Sequence, residues 1–134
     1  MKFVNTAAAV GAGLLFVTSL KVQFVQDKPK NEEQAKTLTY AKDIVPIVKT
    51  YCLGCHGSDT DNPTELYTDD YESIMKGGKH GVPIVAGKPD ESTLYTKLLP
   101  EPPFGRQMPR GRKKITPEAV QTIHDWIRQG AKKE

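Results

Sequence analysis

Cys52, Cys55 and His56 stand together in the run Cys52-Leu53-Gly54-Cys55-His56, a C-x-x-C-H sequence. Two thiols three residues apart on a helical turn can reach the two vinyl groups on one edge of a porphyrin and hold it through thioethers. The next residue then presents its imidazole beneath the ring, where it can ligate iron. This is the spacing of c-type haem attachment. With 2 Cys and 3 His in 134 residues, the motif would arise by chance with a probability of about 10⁻³, so composition does not explain it. A thioredoxin-like redox pair wants a βαβ context, a zinc site wants another cluster of ligands, and a disulfide across so small a loop is uncommon. The chain supports none of these elsewhere. Two cysteines are too few for a disulfide scaffold and are the right number for one haem c bound through Cys52 and Cys55.

A ligated iron has a second axial position, and four residues compete for it: Met75, His80, Met108 and His124. Met75 falls at helical spacing behind Tyr71 and Ile74 and reads better as a core side chain. His80 sits in the glycine-rich GGKHG loop and would give a bis-His haem. His124 lies off the centre of an apolar helical stripe and reads as a surface residue. Met108 precedes Pro109 in a proline-rich loop, where a thioether can be presented with no competing helical packing. The residues favour Met108. His/Met ligation raises the reduction potential relative to bis-His and leaves no open site for a substrate.

The elements that must position these groups are short. Asp43 to Tyr51 reads as a helix ending at the cysteines, with Asp43 as N-cap and Pro46 in the first turn. The last helix is plainer: Thr116 as cap, Pro117 at the first position, Val120, Ile123, Trp126 and Ile127 as one stripe, and Gly130 as terminator. Between them, one short helix is expected from Tyr67 or Asp69 to Lys76 and another from Asp90 or Ser92 to Leu99. The rest is loop, punctuated by glycine and proline. Aromatic residues make up only 7% of the chain, with 1 Trp. So few short helices cannot close an ordinary core, and a large buried prosthetic group would complete it.

Residues 1–25 combine an early Lys2 with an apolar run, the pattern of an export signal or of an uncleaved membrane anchor. Residues 26–39 are polar and read as a tether, leaving 40–134 as the folded domain. Loss of Lys2 and Lys21 with the first segment would remove two of the three net positive charges. What remains is polarised. Asp59, Asp61, Glu65, Asp69, Asp70 and Glu72 fall within a stretch free of Lys and Arg, read as a solvated loop whose spacing matches no EF-hand. Arg106, Arg110, Arg112, Lys113 and Lys114 crowd around Met108. That basic loop would neutralise propionates or steer an acidic redox partner. Nucleic acid is not the expected partner, because no aromatics are interleaved with the charges.

The C-L-G-C-H-G motif, the R-Q-M-P run and the final H-D-W-I-R-Q-G-A helix resemble a single-haem class I cytochrome c. The I-V-A-G-K-P-D-E-S-T-L-Y stretch resembles the cytochrome c-like domains common in planctomycetes. The likeness covers about residues 38 to 131 and departs from the family at Arg110, where such domains often carry a second proline. It implies an all-α class I cytochrome c-like fold in which the first and last helices cross, with Tyr51 or a neighbour near Trp126. It also implies His56 as proximal ligand, Met108 as distal ligand, and a backbone carbonyl for the His56 ring N–H, often a proline's, with Pro63 and Pro83 both open. The expected function is one-electron transfer in a periplasmic redox chain and not enzymatic turnover. The alternatives are a haem subunit of a larger membrane complex and, with an open distal site, a haem sensor or enzyme. One C-x-x-C-H excludes two-haem peroxidases.

Overall fold

The computed structural model describes residues 36–111 and 113–134. The expected signal or anchor at 1–25, and most of the tether that follows it, lie outside these residues. Among the described residues the fold is helical, with no strand and a single isolated bridge between Gly78 and Gly81. No helix among them is long and apolar enough to cross a membrane.

A π-helical turn, Tyr40–Ile44, leads into α1 (Val45–Tyr51); Cys52 interrupts the run, and α2 (Leu53–His56) completes it. The run therefore begins earlier than its sequence pattern indicates. Thr39 is the N-cap, its hydroxyl accepting from Lys42 N–H, and the Asp43 carboxylate reaches back to Thr39 N–H at 2.9 Å. Asp43 is thus the reciprocal half of a capping arrangement and not the cap itself, because the wider π turn lengthens the reach by one residue. Leu38 and Thr39, the last residues of the expected tether, are built in: Leu38 N–H donates to Gln129 at 2.8 Å, and Thr39 is buried.

α3 (Tyr71–Lys76) starts at Asp70, whose carboxylate accepts from Ser73 N–H. A 3₁₀ turn, Pro89–Glu91, precedes the one-turn α4 (Thr93–Thr96). α5 (Pro117–Arg128) follows its sequence signature closely: Thr116 accepts from Ala119 N–H, Pro117 opens the helix, and Gly130 at φ +97° closes it.

The core is Tyr40, Ile44, Val48, Ile74, Ile84, Leu98, Ile123, Trp126, Ile127 and Ala131. Each aliphatic side chain buried there contributes roughly 1.5–3 kcal/mol. Its centre is Trp126, which is fully buried. The ring that meets it is Tyr40, at 6.0 Å between centroids, and not Tyr51, which packs instead beneath Lys113. Crossing occurs at the entrance of the helical run because that is where the buried face of α1 begins. The Lys132 carbonyl accepts both Tyr40 N–H and Trp126 Nε1–H at 2.9 Å, and Ala41 N–H bonds Lys133. The two ends of the domain are sewn together at this seam.

Two expectations about stability follow. Thr39→Ala should cost about 1 kcal/mol, read as a lower denaturation midpoint at unchanged slope. The second concerns acid. Lys36 and Thr39 N–H hold the Asp43 carboxyl below its usual range, Ser58 N–H does the same for Asp69, and Lys133 for Glu72. A group whose folded pKa is depressed stabilises the fold above its unfolded value and loses that contribution as pH falls through the folded one. Urea midpoints should therefore decline below about pH 4, and Asp43→Asn should flatten part of the decline.

Candidate functional site

Cys52, Cys55 and His56 ride on the break and short turn that follow α1. Cys52 N–H bonds Val48, and both Cys55 N–H and His56 N–H bond the Cys52 carbonyl. This is the helical register needed to bring both thiols and the imidazole to one side of the turn. Both cysteines are free; Cys55 is exposed, whereas burial of Cys52 pushes its thiol up to about 11. Cys52 and Leu53 also pack against the core, so the motif is anchored apolar side inward.

The His56 ring is oriented by a partner that sequence reasoning missed. Its Nδ1 lies 3.0 Å from the Leu66 carbonyl. A carbonyl can only accept, so the proton resides on Nδ1 and the Nε2 lone pair is left free for a metal. Neither proline carbonyl serves. Pro63 accepts from Lys79 Nζ at 3.0 Å, and Pro83 accepts from Leu94 N–H at 2.9 Å. Nothing in a side-chain pattern marks a backbone oxygen ten residues downstream as a ring partner.

The loop that presents Leu66 is closely specified. Asn62, only 8% exposed, accepts from Thr64 N–H and hydroxyl through Oδ1 and donates through Nδ2 to the Leu66 carbonyl at 2.6 Å. Glu65 takes a left-handed φ of 54° to complete the turn. Gly78 packs backbone to backbone against it: a Cβ there would collide with Thr64 and Leu66. The loop leaving His56 is closed in turn by Asp69, which accepts from Ser58 N–H at 2.9 Å, while Thr68 N–H bonds the His56 carbonyl at 2.8 Å. Three of the acids read as solvated are exposed and also make contacts: Asp69 as a clamp, Asp70 as a cap, and Glu72 in an ion pair with Lys133.

Met108 is half-buried against the same core as Cys52. Its N–H bonds the Lys97 carbonyl at 2.7 Å, and Gln107 Nε2 bonds the Leu98 carbonyl at 2.7 Å. The Lys97 ammonium donates to the carbonyls of Phe104 and Arg106 and lies 4.5 Å from the Phe104 ring centre. Desolvation, and then the nearby Arg110 charge, hold the Lys97 amine below its ordinary range. Lys97 thus pins the loop that carries Met108.

The other three candidates have separate environments. Met75 packs on the core, as its spacing indicates. His80 is exposed and stacks on Phe104 at 5.1 Å. His124 pairs with Asp125 and meets the Tyr95 ring edge-on. A cleft of about 380 Å³ lined by Glu65, Tyr67, Ser73 and Lys76 includes none of the haem-motif residues. Arg106, Arg110, Lys113 and Lys114 are all exposed, and Lys113 lies 5.3 Å over the ring of Tyr51, next to Cys52.

The donor set fits a c-type haem: two free thiols at attachment spacing, an imidazole with Nε2 available, and a half-buried thioether on a pinned loop. Lys97→Met should speed amide hydrogen exchange across residues 104–108 and leave the protection of α5 unchanged, read by mass spectrometry.

No curated protein matches this chain, and no solved structure does. A family model described as planctomycete cytochrome C matches residues 52–110. The matched segment, which runs from the first cysteine to just past Met108, is similar to that family.

Proposed function

We propose that this protein is an exported, periplasmic one-electron carrier holding a single haem c between His56 and Met108. The observation that carries the reading is the His56 Nδ1 bond to the Leu66 carbonyl within a C-x-x-C-H turn. It gives the imidazole the tautomer and orientation of an iron ligand. Cys52 and Cys55 would hold the porphyrin edge as thioethers. When bound, the haem supplies reversible exchange of one electron between ferric and ferrous iron.

The chain's own residues account for the rest of the task. Leu66 keeps the His56 proton at Nδ1, so that Nε2 stays a neutral donor. Lys97 and the Met108 N–H bond hold the thioether loop to α4, so the second ligand does not have to move when charge changes. With His56 and Met108 both held in place, the site would leave no position open to water or substrate, which favours electron transfer over turnover. The exposed Arg106, Arg110, Lys113 and Lys114 surround that loop in sequence and favour an acidic redox partner.

Production with a c-type maturation system should yield haem that stays on the chain under denaturing electrophoresis, and Cys52→Ser/Cys55→Ser should abolish it. The ferric protein should be low-spin and show the thioether-to-iron charge-transfer band. Met108→Ala should lose the band and turn high-spin, whereas His80→Ala should change neither. A high-spin native protein, or a band that survives Met108→Ala, would overturn His/Met ligation and favour an open-site sensor or enzyme.

A further inference from the structure

The Leu66 carbonyl receives two donors. His56 Nδ1 lies 3.0 Å from it and Asn62 Nδ2 only 2.6 Å. The orientation of the Asn62 amide is fixed by chemistry: Thr64 N–H can only donate, so Oδ1 faces it at 3.1 Å, and the Leu66 oxygen can only accept, so the NH₂ faces that. Asn62 is buried, and its Nδ2 stands 3.4 Å from His56 Nδ1, so the two donors converge on one oxygen from adjacent positions. A carbonyl oxygen that already accepts a short bond carries less electron density for a second donor. The ring N–H of His56 is therefore held in the right direction but polarised less than a sole partner would polarise it.

We propose that Asn62 is a positioning residue that tunes His56: by sharing the Leu66 carbonyl it limits the imidazolate character of the ring and raises the reduction potential of the iron that His56 holds. This rests on the proposed haem ligation. A more anionic imidazole stabilises ferric iron over ferrous, so whatever weakens the pull on the Nδ1 proton shifts the balance toward the ferrous form. The shared oxygen lies outside the immediate ligand set, which leaves the ligands themselves unchanged.

The test is made on the holoprotein. Asn62→Ser keeps a short hydroxyl for the Thr64 turn but cannot reach the Leu66 oxygen. It should lower the reduction potential and move the His56 Nδ1 proton resonance of the diamagnetic ferrous protein downfield, as the remaining bond strengthens. Asn62→Asp keeps the Thr64 contacts, removes the N–H and offers a carboxylate oxygen to the ring N–H. It should lower the potential further, and it serves if the Ser variant does not fold. Thr39→Ala removes a helix cap that touches neither Asn62 nor Leu66; it should lower the melting temperature while leaving potential and resonance in place. An unchanged or raised potential in both Asn62 variants, or a Thr39→Ala shift as large as theirs, would overturn the proposal. A wild-type protein with no covalent haem or with high-spin iron overturns the proposed function first, before any variant is compared.

Discussion

The hydrogen bond between His56 Nδ1 and the carbonyl of Leu66 fixes both the tilt of the ring and the nitrogen that carries its proton. Much of the chain from residue 57 to residue 81 serves to keep that oxygen in place. Asn62 folds the turn from inside, Glu65 accepts a left-handed backbone to complete it, and Gly78 lets a second strand of backbone lie directly against it. Asp69 and Thr68 then tie the segment after the motif back to the motif itself. The turn between His56 and α3 is thereby tied by polar bonds, several of which converge on one acceptor. Rigidity at this point matters because a rotated ring would lose the lone-pair direction on which metal ligation depends.

Apolar burial is concentrated elsewhere, around Trp126. Tyr40, Ile44, Val48, Ile123 and Ile127 give the packed layer between the start of the first helical run and α5, and Tyr71 closes it edge-on against Tyr40 at 5.5 Å. The residues that carry chemistry lie at the margin of this layer. Cys52, Leu53 and Met108 touch the core yet remain half-buried. Structure and function are thus divided by depth: a dry helical crossing supplies stability, and the shallower layer beside it supplies ligands. Cys52, Leu53 and Met108 belong to both parts, and Ile74 and Tyr71 carry the segment after the motif into the same core.

The sequence made some of this plain and kept the rest hidden for identifiable reasons. The C-x-x-C-H turn and α5 are readable because their determinants are local: thiols at fixed spacing, and a Thr-Pro-Glu start with a glycine stop. The entrance to the first run was misplaced because Asp43 resembles an N-cap. Only a π turn, which a 3.6-residue period does not anticipate, moves that role to Thr39. The resemblance implies Tyr51 or a neighbour as the partner of Trp126, but the helices meet one end earlier, at Tyr40. The Leu66 carbonyl and the Lys97 clamp were invisible because both act through backbone oxygens, which every residue has and no residue type advertises. Asp69, Asp70 and Glu72 stay exposed, as a run of acids suggests, and each also takes a contact that the run does not announce.

The seam between Tyr40–Ala41 and Lys132–Lys133 also sets an order of events in time. A chain that emerges amino end first presents Cys52 to His56 long before the carbonyls of Lys132 and Lys133 exist to receive the first helical run. Until those last residues arrive, Tyr40 has no partner for its N–H, and Trp126 has not been added beneath its ring. The carboxy-terminal residues thus act as a latch on the start of the first helical run, and Cys55 stays exposed after that latch has closed.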